Sequence, residues 1–197
     1  MSVRAFTQLE TIEQPQEIRR SLTGFTLIET IMVIVIIGIL AAVAVPRFNA
    51  FYALKLDGAM KKARSDIRYV QQLGISRHTD TRIEFNAAAN SYQACFCNET
   101  DGVCTAGACG SGNWTAVTDP FTRGNLQTYF NTDPQYGGID ITSASFGGGF
   151  TLRFDWQGVP QNSARTNLAA DGSVSFSYQG NSNTIYVTPN TGRVRVQ

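Results

Sequence analysis

FTLIETIMVIVIIGILAAVAV, Phe25 to Val45, is 21 residues long and carries a single charge, Glu29. At about 1.5 Å per residue a helix of this length just spans a hydrocarbon core of about 30 Å, so the stretch reads as a membrane-spanning helix. Arg19 and Arg20 precede it and Arg47 follows it, so charge bias favours a cytoplasmic N-terminus only weakly and puts everything after Pro46 on the far side. The competing reading is a secretory signal peptide ending at Ala42-Val43-Ala44. Against it stand a run longer than the roughly 7 to 15 residues of a signal core and an acid inside that run. The preceding region is also long and neutral, with Arg4, Arg19 and Arg20 balancing Glu10, Glu13 and Glu17. A globular core helix seldom stays apolar on all sides for so long.

Around this segment lie 197 residues in all, with 16 Lys plus Arg against 15 Asp plus Glu, which is room for one ordinary domain and an appendage. That balance excludes a strongly basic nucleic-acid coat and an acidic tail. Charged residues make up 16% of the chain, below the usual figure of about 25%, and the 43% hydrophobic share is densest near the N-terminus. One His and four Cys leave little material for acid-base or metal chemistry, so no cofactor and no metal are expected. Asp155, Asp171, Glu84 and His78 do not assemble into a convergent catalytic group, and an enzyme is the least favoured class.

Pro46 lacks a backbone donor and crowds the carbonyl of Ala42, so a kink is expected there, with Gly38 a second weak point. The helix is expected to continue over 46–78. Met60, Ala63, Ile67, Val70 and Gly74 recur at spacings of three and four, while Lys61, Lys62, Arg64, Asp66 and Arg68 take other faces. The apolar stripe should pack on a sheet, and the basic residues read as a solvated helix face. His78, at the expected helix end, reads as a partner of the helix dipole or plain surface rather than a ligand.

After Arg77 the texture changes to Thr, Asn, Ser and Gly between short alternating runs, the pattern of antiparallel strands. Residues 82–96 read as a hairpin turning near 88–90. Further strands are expected over 126–130, 149–155, 173–178, 184–188 and 193–196, with turns at 147–149, 179–183 and 190–192. A helix followed by strands gives an α+β head over 79–197.

Cys95, Cys97, Cys104 and Cys109 fall within 15 residues, CFCNETDGVCTAGAC. In an extracytoplasmic head two disulfides are the default, and three pairings exist. Cys95 and Cys97 should share one strand face with parallel Cβ vectors, a poor geometry for a bond, which leaves Cys95 with Cys104 or Cys109. Closing such a loop is worth about 3 kcal/mol in the chain-entropy model. The spacing is not the paired CxxC pattern of a zinc site. Asn98-Glu99-Thr100 matches a glycosylation acceptor, a signal of little weight.

GFTLIE, Gly24 to Glu29, followed by an apolar run ending at Pro46, resembles the type III signal of type IV prepilins and type II secretion pseudopilins. The resemblance implies that a prepilin peptidase cuts after Gly24 and methylates the new N-terminus on Phe25, leaving residues 1–24 as a cleaved leader. A carboxylate in hydrocarbon costs several kcal/mol unless paired, so Glu29 needs a partner or a proton. The family supplies a partner, the α-amino group of a neighbouring subunit, which makes Glu29 and the helix up to Pro46 the assembly element. The plain alternative is that Glu29 snorkels to the headgroups.

Three phrases of the head, DGAMKKARSDIRYVQQLGISRHTDTRIEFN (Asp57 to Asn86), FDWQGVP (Phe154 to Pro160) and the ending TIYVTPNTGRVRV, resemble the GspH/FimT branch of minor pilins and pseudopilins. The Cys loop and residues 110–148 match least. This resemblance implies a type IV pilin-like fold, a long N-terminal helix packed on an antiparallel sheet. It also implies a low-abundance subunit that primes, or sits near the tip of, a thin filament. The subunit would wait in the bacterial inner membrane, single-pass with its head in the periplasm, and its partners would be other pilins or pseudopilins.

Gly192-Arg193-Val194-Arg195 is similar to the GRxR motif by which FimT-type minor pilins are linked to DNA capture in natural transformation. On a strand, Val194 and Val196 would face the core while Arg193 and Arg195 face water about 6.5 Å apart. One DNA strand offers a phosphate per ~3.4 Å, so the pair fits alternate phosphates of double-stranded DNA without reading bases. Two contacts give a salt slope of only about −2, so further cations such as Arg165, or several subunits, would be needed. A charged terminal strand that discourages edge pairing is the plain reading of the same residues. The expectation is therefore a minor pilin with DNA capture at its C-terminal strand, the alternative a type II secretion pseudopilin that does not need Arg193 and Arg195.

Overall fold

The computed structural model describes residues 24–104 and 107–197, and the side chains of residues 44–49 lie outside that description. The expected leader therefore falls outside the described residues except for Gly24. The chain divides into two compact units, one ending at Val43 and the other Ala44–Gln197. A single helix, α1 (Leu27–Arg77), contributes to both.

In the first unit α1 begins at a cap. Thr26 precedes the helix and its Oγ1 accepts the N–H of Glu29 at 3.3 Å, while its carbonyl accepts the N–H of Thr30 at 3.2 Å. Beyond this cap the apolar side chains are exposed on every side, with Ile28 at 75%, Met32 at 66%, Ile36 at 50% and Leu40 at 63% exposure. Among the described residues no helix is long and apolar enough to cross a membrane. The described apolar side chains stop at Val43, and the expected span over 25–45 ends among side chains that lie outside the description. The side chain of Pro46 is one of those, while its backbone lies within α1.

In the second unit the stripe Met60, Ala63, Ile67 and Val70 is buried together with Leu56 and Ala59, as the spacing predicts. It joins one core with two antiparallel sheets. The strands are β1 (Thr81–Asn86), β2 (Ser91–Cys97), β3 (Trp114–Ala116), β4 (Gln127–Tyr129), β5 (Asp140–Ser145), β6 (Thr151–Phe154), β7 (Pro160–Gln161), β8 (Gly172–Tyr178), β9 (Asn181–Val187) and β10 (Val194–Val196). The first sheet runs β3-β2-β1-β6-β7, with β4 also on β2, and the second runs β10-β9-β8-β5. Ile83, Phe85, Tyr92, Ala94, Leu152 and Phe154 line the core from the first sheet, and Val174, Phe176, Ile185, Val187 and Val194 from the second.

The helix ends where a left-handed residue stops it. His78 has φ of 58°, and the N–H of Thr79 returns to the carbonyl of Gly74 at 3.0 Å, a Schellman-type close. The His78 ring stacks on Trp156 with centroids 4.5 Å apart, so it is a packed surface residue. Two expectations need correction. The turn expected over 179–183 is only Gln179-Gly180, both with positive φ, because this two-residue form matches strand twist and lets Asn181–Asn183 pair with β8. Strands β3, β5 and β7 were not anticipated: β3 and β7 hold three and two residues, and β5 is a Thr/Ser-rich strand broken by a bulge between Ile141 and Ser143.

Candidate functional site

At the N-terminal end, Gly24 and Phe25 are exposed, non-helical residues just ahead of the cap. A Cβ on Gly24 would meet nothing within 4 Å among the described residues. Glu29 occupies the third helical position after Thr26. The pattern Thr26-x-x-Glu29 is a capping box whose signal is written in the sequence and went unread there. The half in which Thr26 receives the Glu29 N–H is made. The Glu29 carboxylate is exposed and has no ion-pair partner among the described residues.

At the opposite end of the chain, β10 forms an edge of the second sheet, in register Val194↔Val187 and Arg195↔Tyr186. Val194 is buried while Arg193 and Arg195 are exposed, so the alternation read from the sequence holds. The two arginines differ in their surroundings. Arg195 forms an ion pair with Asp171 and lies over the ring of Tyr186 at 5.2 Å. Arg193 has no carboxylate within ion-pair distance among the described residues. Gly192 has φ of 62°, and a Cβ there would run into the Gln71 side-chain amide, whose Nε2 donates to the carbonyls of Gly158 at 2.9 Å and Thr191 at 3.1 Å. Glycine is required there for two reasons, handedness and the close approach of α1. The α1 residue Arg68 also donates to the Val194 carbonyl at 3.4 Å.

Arg165 does not join this group. It lies 3.6 Å from Asp80, beside Arg153, which is 2.9 Å from the same carboxylate. Asp80 and Arg153 are both 1% exposed, and burial pushes the carboxyl up and the guanidinium down from their ordinary values against their mutual attraction.

The cysteines pair in nested fashion, Cys95 with Cys109 and Cys97 with Cys104, with Cα separations of 5.6 and 5.5 Å. Both bridges rise from the face of β2 that points away from the core. Arg82 and Arg153, neighbours in register on β1 and β6, stack over Trp114 at 4.0 and 5.1 Å. Arg82 donates to the Gly107 carbonyl at 2.7 Å and Arg153 to that of Cys104 at 2.8 Å, so the loop is pinned to the sheet. Two buried arginines under a tryptophan carry no sequence signature, and this arrangement was not foreseen.

The prokaryotic N-terminal methylation motif matches residues 19–45. A search of curated proteins finds no match. Among solved structures the chain is similar to the minor pseudopilin EpsH from the type 2 secretion system of Vibrio cholerae, at 10% identity and TM-score 0.50, over 73% of this chain and 96% of that one. A second structure of that protein gives 9% identity and TM-score 0.50 over 73% and 95%. The Pseudomonas aeruginosa type IV minor pilin FimU aligns at 10% identity and TM-score 0.48 over 74% and 90%. At such identities the likeness to EpsH is one of fold. The chain carries a prepilin-type N-methylation motif and has the type IV pilin-like fold, an N-terminal helix followed by an antiparallel β-sheet head.

Proposed function

We propose that this chain is a minor pilin, cut by a prepilin peptidase between Gly24 and Phe25, held in the inner membrane by its apolar helix with its head in the periplasm, and then assembled into a type IV pilus. One observation carries the reading: a capped helix that is apolar and exposed on all sides, with the carboxylate of Glu29 in its first turn meeting no cation among the described residues. Such a surface is covered in water only by lipid or by other helices of its kind. A proton or a cation must meet Glu29 in either setting, and cleavage ahead of Phe25 creates an ammonium group on each neighbouring subunit. Mass spectrometry of the mature protein tests this. The expected N-terminal peptide begins with methylated Phe25, and a chain beginning at Val45 overturns the reading.

Sequence-blind capture of double-stranded DNA at Gly192-Arg193-Val194-Arg195 is the second part of the proposal. Its support is the exposure of Arg193 and Arg195, one just ahead of the edge strand β10 and one on it, beside the turn that Gln71 ties to α1. The alternative, a minor pseudopilin of type II secretion, leaves that strand without a polyanion to bind. DNA mobility shift with Arg193→Gln/Arg195→Gln separates the two, since binding unchanged by the double replacement removes the DNA role.

A further inference from the structure

The pair of arginines at β10, Arg193 just ahead of it and Arg195 on it, is a weaker cation than its sequence implies, because Asp171 already neutralises Arg195. One uncompensated guanidinium, Arg193, would give a salt slope of only about −0.9 and hardly any hold on DNA at physiological salt. The structure places other cations along the same edge. On α1, Lys61 is paired with Asp57 at 2.8 Å and Lys62 with Asp66 at 2.9 Å, each an i,i+4 pair. Arg64 and Arg68, on the same helix, have no carboxylate within ion-pair distance among the described residues. With Lys61 and Ser65 they line an open pocket of about 260 Å³. The Nε of Arg64 is itself buried, with no hydrogen-bond partner among the described residues. Arg68 reaches the Val194 carbonyl, so its guanidinium lies directly against the β10 edge.

We infer that Arg64 and Arg68 form a phosphate-binding cleft on α1 that continues the β10 contact, so that DNA backbone runs from Arg193 across the strand edge onto the helix. This rests on the DNA-binding part of the proposed function and names the residues that make it sufficient. The basic residues of α1 are then not equivalent: each lysine has its own aspartate, and among the described residues neither arginine has one. Ser65 offers a hydroxyl donor beside them, and the two guanidinium groups that line the pocket supply the charge that meets a phosphodiester. No base edge is read, because every contact goes to phosphate.

Three free guanidinium groups give a slope of about −2.7, a loss of about 40-fold in affinity between about 50 and 200 mM salt. The test uses the full-length protein in detergent micelles and fluorescence anisotropy with a short random-sequence duplex. Arg64→Gln/Arg68→Gln is expected to reduce the slope to about −0.9, so that affinity changes only about 3-fold over the same range. Arg64→Lys/Arg68→Lys keeps the charges and is expected to retain most of the slope, which separates phosphate contact from a folding defect. If the Gln pair binds with the wild-type slope while Arg193→Gln weakens binding, the helix cleft is overturned and the β10 reading survives. If the wild-type chain does not bind the duplex, both fall.

Discussion

The phenol of Tyr92 on β2 donates to the carboxylate of Asp66 on α1 at 2.6 Å, and Lys62 holds the same oxygen at 2.9 Å. Burial, and next the charge of Asp66, raise the Tyr92 phenol well above its ordinary value. Its folded pKa lies above the unfolded value of about 10, so its contribution is whole below about pH 10 and drains away as pH rises past it. Tyr92→Phe is expected to cost about 1.5 to 3 kcal/mol at neutral pH, the worth of a hydrogen bond to a charged group. Urea unfolding from neutral to alkaline pH should show the gap between the two proteins closing above about pH 10; a constant gap would sink the assignment.

Asp80 and Arg153 carry a different kind of risk. Breaking a fully buried pair strands the surviving charge, so Asp80→Asn is expected to destabilise the head by about 3 to 5 kcal/mol. Arg165, 3.6 Å from the same carboxylate, carries the same sign as the stranded Arg153 and adds repulsion to that loss. Thermal unfolding of single and double variants at Asp80 and Arg153 should give non-additive losses, and additive ones would show that the two do not act as a unit.

Glu29→Ala is expected to leave membrane insertion intact, since it removes a polar group from an apolar segment, while filament incorporation falls. Carbonate extraction reads the first and immunoblotting of sheared filaments the second. Glu29→Gln separates charge from shape. Wild-type incorporation of both variants would refute pairing with a neighbouring N-terminus.

For the nested bridges the chain-entropy model gives about 2 kcal/mol for losing either one and about 5 kcal/mol for losing both. Cys97→Ser/Cys104→Ser, Cys95→Ser/Cys109→Ser and the fourfold variant, compared by denaturant unfolding, test this. A fourfold variant as stable as wild type would mean that the Arg82, Arg153 and Trp114 stack holds the loop unaided.

Asp171→Asn frees Arg195 without altering β10. The expected outcome is tighter duplex binding and a salt slope steeper by about 0.9. A weakened complex would show that Asp171 positions Arg195 for its contact instead of competing with DNA.

The features that proved legible in the sequence are those set by periodicity. The Met60–Val70 stripe, the hairpin of β1 and β2, and the alternation of Val194 with its flanking arginines all follow from which side chains must face the core. Short or bulged strands such as β3, β5 and β7 exist because longer neighbours offer them a ladder, and their own residues do not announce them. The ion pairs were illegible for a similar reason. Asp171 and Arg195 stand 24 residues apart, and only the fold shows that one of two apparently equal arginines is already engaged. The Thr26–Glu29 cap was readable and was missed because the glutamate was weighed only as a charge in lipid.

Both cystines spring from alternate positions of one strand and close over a tryptophan clamped from beneath. The patch they enclose is thus moored to β1, β2 and β6 by covalent bonds and buried arginines instead of by a core of its own. Its outward residues are free to diversify, as the ornament on a handle can be recarved without loosening the grip, and a lineage of such subunits would be expected to differ most in that spot while its spine stays unchanged.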